Sequence, residues 1–204
     1  MARIAGVTGR QAGLRVQLAY FFTRRMLRQL AGRAVQDGIE PLRVYAHVPG
    51  LLKGIGSMEQ ATARLHRLDK RTRALAELRA ATLTQCEYCI DLGSAISRGW
   101  GLTDEELLAL QSYRTSPLFS AVDRLVLDYA TGMSTTPVDV PDELFARLRP
   151  HFDDGQLVEL THVIALENMR GRFNLALGVG SAGYTEGMVC AVPAMIQAQA
   201  ARPG

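Results

Sequence analysis

Apolar residues recur at helical spacing along almost the whole chain. In the first segment, Leu14, Leu18, Phe21, Leu27 and Leu30 follow one another at roughly three- or four-residue intervals, which is typical of one face of a helix. No stretch alternates apolar and polar residues convincingly, as a half-buried strand would. The pattern therefore predicts an all-α protein.

Helix-start signals divide the chain into shorter elements. Pro49 is suited to open a helix, because proline is favoured at the first helical position. Asp69 predicts an N-cap for a helix from about Lys70 to Leu83. Thr103, with Glu106 three residues later, has the capping-box pattern. Further starts are predicted at Ser116-Pro117, Pro141 and Asp153 or Asp154, with ends near Gly132, Leu148 and Gly178 and, after a glycine-rich turn, a last helix of small residues.

Two cysteines stand close together where one predicted helix gives way to the next. Cys86-Glu87-Tyr88-Cys89 follows the polar break Thr84-Gln85, and the helical pattern resumes through Ile90 as far as Gly99. Thiols at this spacing can close a small disulfide ring, and a helix N-terminus lowers the pKa of a nearby thiol. Redox chemistry at Cys86 and Cys89 is therefore the first hypothesis.

The cysteine pair has three other interpretations. A structural zinc site needs four ligands, and Cys190 and the four histidines are scattered without ligand spacing, so no metal or other cofactor is implied. A structural disulfide suits small secreted domains, whereas this chain has only three cysteines in 204 residues. Two buried, inert cysteines on one helix face remain an alternative. Glu87 and Asp91, which flank the pair, are interpreted as solvated carboxylates.

Composition favours an ordinary globular protein in a reducing compartment. Hydrophobic residues make up 48% and charged residues 21% of the chain, and no low-complexity linker divides it. The best apolar stretch near the N-terminus, residues 18–22, is too short for a signal peptide or a membrane span. We therefore expect a cytoplasmic protein that is not an integral membrane protein. In the cytoplasm a dithiol is normally kept reduced.

The charge pattern argues against nucleic acid as the partner. The net charge is only +3, and the basic residues are spread along the chain, with the densest run at residues 24–33. This run belongs to the first predicted helix, which could lie on an anionic membrane. The favoured interpretation is that the helix packs on the body of the protein or on a neighbouring subunit.

The cysteine segment resembles a known family. Residues 78–89, LRAATLTQCEYC, are followed by Gly99-Trp100-Gly101-Leu102-Thr103, and later by Glu167-Asn168 and Arg172-Phe173-Asn174. Together they are similar to the carboxymuconolactone decarboxylase family, in its alkylhydroperoxidase D-like branch, over roughly residues 68–183. The resemblance implies the alkylhydroperoxidase D-like helical fold, with residues 68–204 as the core and residues 1–67 as an N-terminal helical extension, both within one compact domain.

The same resemblance implies a function and partners. It suggests a homotrimer or homohexamer whose Cys-x-x-Cys pair reduces a hydroperoxide or a disulfide substrate. The pair would then be reduced again by a lipoyl-bearing or thioredoxin-like partner. The alternative is a protein of the same fold without redox activity that binds a small molecule or acts as an oligomeric interaction protein.

Two positions depart from the family's peroxidase motif, which has a Glu twelve residues before the first Cys and a His four residues after the second. Here those positions hold Ala74 and Gly93. Because the imidazole and carboxylate would form a proton relay, their absence predicts slow turnover with peroxide.

Two carboxylates are candidates for the missing proton acceptor. Glu77 could reach the cysteines from the preceding helix, or it could pair with Arg73 four residues earlier. Glu167 begins a polar stripe with Arg170 and Asn174 that could line a pocket facing the cysteines. Alternatively, Glu167 pairs with Arg170, and Asn174 lies at a subunit interface.

Overall fold

The computed structural model describes residues 2–9, 11–35 and 38–191, and within these ranges it contains helices and no strand. The fold-class prediction is confirmed. The helices are α1 (Leu14–Ala31), α2 (Glu40–Tyr45), α3 (Pro49–Ala63), α4 (Lys70–Thr84), α5 (Glu87–Gly99), α6 (Asp104–Ala109), α7 (Ala121–Ser134), α8 (Asp142–Leu148) and α9 (Asp154–Leu177), with a short 3-10 turn at Leu110–Ser112 after α6.

Helix α4 lies at the centre of the fold and packs against α5, α7 and α9. Leu75 and Leu78, which the pattern placed on its buried side, are completely buried, as are Ala76 and Ala80 on the opposite faces. The small alanines allow neighbouring helices to approach on more than one side. Its N-terminus is fixed by Asp69, whose carboxylate accepts the Thr72 backbone N–H at 2.9 Å.

Most predicted helix starts are confirmed, but the one at Ser116-Pro117 is wrong. Helix α7 begins at Ala121, because Ser120 and Asp123 form a capping box in which each side chain accepts the other's backbone N–H. The Arg124 guanidinium donates to the carbonyl of Ser116 at 2.7 Å, which holds the preceding residues as a loop.

The predicted last helix is not present where the structure describes the chain. Residues 184–191 form turns and irregular backbone, and the residues after 191 lie outside the described ranges. The segment 179–191 runs back over α5. Val179 and Ala191 are buried there in the same cluster as the cysteines.

Helix α1 packs through one face only. Tyr20 and Leu27 are buried against Ile39, Ala95 and Tyr184. The other face leaves a row of large apolar residues exposed: Leu14, Leu18, Phe21 and Phe22. Among the described residues, no helix is long and apolar enough to cross a lipid bilayer.

Candidate functional site

The turn between α4 and α5 places the first cysteine at a helix N-terminus. Gln85 ends α4 in the left-handed conformation, with φ of 58°. The Cys86 backbone N–H then bonds back to the carbonyl of Ala81 at 3.2 Å. As a result, Cys86 is the N-cap of α5, and its sulfur accepts the Cys89 backbone N–H at 3.3 Å.

Cys86 and Cys89 are joined by a disulfide bond, with their Cα atoms 5.2 Å apart. This Cα separation lies within the usual range for disulfides. Both residues are buried, Cys86 with 1% and Cys89 with 7% of its surface exposed. The third cysteine, Cys190, is free and half-buried, and its sulfur lies 3.5 Å from the Ser94 hydroxyl on α5.

Asn174 of α9 faces the disulfide. Its side-chain Nδ2 lies 3.6 Å from the Cys86 sulfur and 3.6 Å from the Cys89 sulfur, and the residue is only 2% exposed. The stripe on α9 is therefore aimed at the cysteines at this end. The Glu167–Arg170 pair of the alternative interpretation is present at 2.8 Å. Asn174, which that interpretation placed at a subunit interface, is instead buried within the chain against the cysteines.

The other end of the stripe is a network of charged side chains. Glu167 accepts a hydrogen bond from Arg170 at 2.8 Å, and Arg170 Nε donates to Glu59 of α3 at 2.9 Å. Glu77 accepts from Arg73 at 3.2 Å and lies 3.9 Å from Arg170. Three carboxylates thus share two guanidinium groups, and a proton on one carboxylate would balance the charges.

Glu167 is the carboxylate best placed to hold that proton. It is 6% exposed, and burial raises its pKa from 4.5 to about 7. The negative charges of Glu77 and Glu59 add to the rise, while the positive charge of Arg170 opposes it. The pKa of this group therefore lies near neutral pH.

The structure does not bring either candidate base into direct contact with the sulfurs. Glu77 bonds to Arg73, as one of its two interpretations required, and Glu167 bonds to Arg170. Glu167 and Asn174 are seven residues apart on α9, which corresponds to a rise of about 10 Å along the axis. A proton would have to pass between the network and the cysteines through intervening groups.

Asp91 is a buried anchor that sequence reasoning misread as a solvated carboxylate. Its oxygens accept the backbone N–H groups of residues 182–185 and the hydroxyls of Ser181 and Thr185, at 2.6–3.0 Å. Burial alone would raise the pKa of Asp91, but these hydrogen bonds outweigh it and lower the pKa. The partners lie ninety residues away in sequence, so local patterning contained no signal for them.

Gly93 stands where a side chain would meet the core. A Cβ atom at this position would lie 3.1 Å from Cδ2 of Leu78 on α4, a residue that is completely buried. Leu78 therefore occupies space beside the cysteine helix that a larger residue at position 93 would need.

Sequence comparison assigns the chain to a family. Residues 49–131 match the sequence profile of the carboxymuconolactone decarboxylase family. The uncharacterized protein YnjA of Escherichia coli is 36% identical over 160 residues, which span 76% of this chain and 83% of YnjA. The chain belongs to the carboxymuconolactone decarboxylase family. The profile match begins at the start of α3, and the division of the chain at residue 68 stays a prediction.

Solved structures with this fold include a debrominase and an uncharacterized peroxidase-related protein. The debrominase Bmp8 in complex with 2,3,4-tribromopyrrole superposes with a TM-score of 0.72 at 18% identity, covering 86% of this chain and 89% of Bmp8. An uncharacterized peroxidase-related protein of Ralstonia eutropha with the alkylhydroperoxidase AhpD core gives a TM-score of 0.70 at 17% identity, covering 88% and 92%. These matches show the alkylhydroperoxidase D-like fold.

Proposed function

We propose that this protein is a thiol-disulfide oxidoreductase that reduces hydroperoxides slowly through Cys86 and Cys89. The observation that carries the proposal is the disulfide at the N-terminus of α5, with the Asn174 amide equidistant from both sulfurs. Two sulfurs placed to bond to each other can take up and release two electrons. Inert core cysteines need neither this geometry nor a shared donor.

The reaction balances with the two cysteines alone. A thiolate attacks the outer oxygen of ROOH, the O–O bond breaks, and ROH leaves after taking a proton, so that the attacking cysteine becomes a sulfenic acid. The second thiol then attacks that sulfur, the disulfide forms, and water leaves. A dithiol reductant, lipoyl-bearing or thioredoxin-like, returns the pair to two thiols by exchange.

Two features of the site would stabilise a thiolate. The N-cap position puts the Cys86 sulfur at the positive end of α5, and the Cys89 N–H already points at it. The Asn174 amide can donate to a negative sulfur at either cysteine. Cys86 is favoured as the thiolate by its N-cap position, whereas Cys89 is the more exposed of the two.

Proton transfer is proposed to involve Glu167, with Glu77 as a member of the same network. A general base works best when its pKa is near the working pH, and Glu167 meets this condition because of its burial. The distance to the sulfurs requires that the proton moves through substrate or solvent. This indirect path is the reason to expect slow turnover, since general-base help is worth about 10²–10⁴ in rate.

Single-turnover oxidation tests the proposal. The protein is reduced, freed of reductant and mixed with cumene hydroperoxide, and thiol loss is followed together with peptide mass. We expect one peroxide consumed per Cys86–Cys89 disulfide formed in the parent and in Cys190→Ser, and no disulfide in Cys86→Ser or Cys89→Ser. A dimedone adduct on the remaining cysteine of either single variant identifies the attacking sulfur.

Two further measurements separate this function from its alternatives. A brominated pyrrole, supplied in place of the peroxide, asks whether the dithiol reduces a carbon–bromine bond with release of bromide instead. Equilibration with glutathione buffers gives the reduction potential of the pair. If peroxide leaves both thiols unchanged and the pair does not equilibrate with glutathione, the proposal is wrong and the non-redox alternative stands.

A further inference from the structure

Acidic residues are missing from the N-terminal part of this protein. Residues 1–35 contain seven arginines and no acidic residue, whereas the whole chain has 23 basic and 20 acidic residues. The rest of the chain is therefore negative overall. Such an asymmetry indicates that the N-terminal part meets a negatively charged partner.

Residues between Gln17 and Gln29 of α1 line one side of a cleft of about 800 Å³. The opposite walls come from the segment before α1, the residues after it, and Arg43 of α2. Clefts of this volume are typical of small-molecule sites. The cleft is lined by Thr8, Gly9, Gln17, Tyr20, Phe21, Arg24, Arg25, Arg28, Gln29, Gly32, Ala34 and Arg43.

Three of the lining guanidinium groups have no counter-charge among the described residues. Arg24, Arg25 and Arg28 are exposed and make no ion pair or hydrogen bond to any of the described residues, whereas Arg43 is held by Glu40 at 3.3 Å. Arg24 and Arg28 are four residues apart on one helix face, where like charges destabilise a helix. An anion in the cleft would relieve this repulsion.

We propose that this cleft binds a phosphate ester. Guanidinium groups match the oxygens of phosphate with paired hydrogen bonds. A phosphate monoester carries nearly two negative charges at neutral pH, which offsets three uncompensated arginines better than a single carboxylate does. A phospholipid headgroup also offers phosphate oxygens to the arginines, but as a diester with a single negative charge, and the experiment below distinguishes this source from a free phosphorylated metabolite.

Aromatic side chains next to the arginines would hold the organic part of the ligand. Phe21 is 60% exposed at the edge of the cleft. Tyr20 is buried and its hydroxyl donates to the carbonyl of Val7 at 3.0 Å, so it presents its ring rather than a free polar group. The site thus favours an ester with an apolar or aromatic group over inorganic phosphate.

The cleft is separate from the cysteine site. Its helix packs against α5 through Tyr20 and Leu27, in a different cluster from the one that holds the cysteines. Ligand binding can therefore be tested without any assumption about redox activity.

Calorimetric titration of the full chain tests the site. The probes are phenyl phosphate, inorganic phosphate, and vesicles of phosphatidylcholine with and without phosphatidylglycerol. The test variant is Arg24→Gln/Arg28→Gln, and the control is Arg15→Gln, which removes an exposed arginine of α1 outside the cleft. Because the substituted positions are exposed, we expect both variants to fold. Circular dichroism spectra of the variants that match the helical spectrum of the parent verify this.

We expect phenyl phosphate to bind more tightly than inorganic phosphate, with a dissociation constant about tenfold or more higher in the double variant and unchanged in the control. Binding to phosphatidylglycerol vesicles but not to phenyl phosphate, again lost in the double variant, supports the site and identifies the lipid as its source. The proposal is overturned if neither phenyl phosphate nor phosphatidylglycerol vesicles bind to the parent. An equal loss of affinity in Arg15→Gln and in the double variant also overturns the proposal, because any exposed arginine of α1 would then contribute as much to binding as the arginines of the cleft.

Discussion

At the scale of single residues, the proposed chemistry at Cys86 and Cys89 involves one amide that faces both sulfurs. Asn174 is buried, and its Nδ2 lies 3.6 Å from each cysteine sulfur. A hydrogen bond to a charged group contributes about 1.5–3 kcal/mol to stability. The bond is stronger where water is excluded, because the local dielectric constant is lower there. We therefore propose that Asn174 favours the thiolate form of the reduced cysteines.

Replacement of Asn174 by Ala should raise the apparent pKa of the more acidic thiol by about one unit, because 1.4 kcal/mol of lost hydrogen bonding corresponds to that shift. The measurement is the iodoacetamide alkylation rate against pH for the reduced protein. Asn168→Ala removes another buried amide of α9, which donates to the Ser134 hydroxyl at 2.9 Å, and serves as the control. An unchanged thiol titration in Asn174→Ala would show that the contact is only structural.

Glu167 should make the protein less stable as pH rises toward neutrality. Its pKa is about 7 in the folded chain, against 4.5 when unperturbed, so between these values the folded state keeps a proton that the unfolded state releases. The free energy of unfolding then falls with rising pH over this window, by up to about 3 kcal/mol. Glu167→Gln should remove this part of the slope, as urea unfolding at pH 4.5 to 8 would show.

The control for this pH series is Glu159→Gln. Glu159 is also buried on α9, but it accepts the backbone N–H groups of Arg67 and Leu68 and lies outside the charge network. We expect Glu159→Gln to be less stable than the parent and to keep the fall in stability between pH 4.5 and 7 that Glu167 causes. A parent profile that is flat between pH 4.5 and 7 would contradict the assignment.

At the scale of helices, the surroundings of the cysteines are set by how α4 and α9 pack on α5. Leu78 of α4 fills the space next to Gly93, and Asp91 ties the segment after α9 to α5. The helix that carries the redox pair is thus held on one side by apolar packing and on another by hydrogen bonds to a single carboxylate.

Gly93→His alone should not create an efficient peroxidase. The new Cβ would press on Leu78 at 3.1 Å, and crowding a packed core costs about 1–3 kcal/mol. We expect a lower melting temperature and little gain in peroxide turnover. Leu78→Ala/Gly93→His should turn over peroxide faster than Gly93→His alone, because the smaller residue makes room for the imidazole. A Gly93→His variant that is as stable as the parent and turns over peroxide rapidly would contradict the packing argument.

Asp91→Asn should destabilise the fold by at least about 2 kcal/mol, because six donors would then face a neutral side chain that has only one acceptor oxygen. Limited proteolysis should cut the variant first within residues 179–191. Asp104→Asn, which affects a half-exposed carboxylate paired with Arg98, is the matched control. Equal protease resistance of parent and Asp91→Asn would refute this role.

At the scale of the whole molecule, α1 exposes more apolar surface than a monomer in water usually tolerates. Phe21 and Phe22 are 60% and 62% exposed, beside Leu14 and Leu18. Contiguous exposed apolar residues are typical of interaction surfaces. We propose a homo-oligomer, a trimer or hexamer, in which Leu14, Leu18 and Phe22 of α1 are covered by a neighbouring subunit.

Light scattering at micromolar concentration should show this assembly for the parent. Leu18→Ser/Phe22→Ser should shift it to a smaller species while the helical content is retained. Leu108→Ser, at another exposed apolar residue, on α6, is the control and should leave the assembly unchanged. A monomeric parent would refute the proposed interface.

Local patterns in the sequence determined the helices and the position of the cysteines. Asp69, Thr103 and Asp153 cap helices as predicted, because a cap depends on residues within one turn. The Cys-x-x-Cys pair fell at a helix start for the same reason. The start of α7 was misplaced because Ser120, a competing cap four residues after Ser116, fixes it.

Only the tertiary structure decided what surrounds the cysteines. Asn174 reaches them from 85 and 88 residues away, and Glu167, Glu77 and Glu59 meet because three helices converge on Arg170. Sequence spacing showed that Glu167 and Asn174 share a face of α9, but not what that face meets. The sequence thus determined each helix and which residues share a face of it. The packing of α9 and α3 around α4 and α5 determined which side chains the cysteines and Glu167 meet. The reason is that the burial of Glu167, and with it the pKa of its carboxyl group, depends on contacts between distant segments.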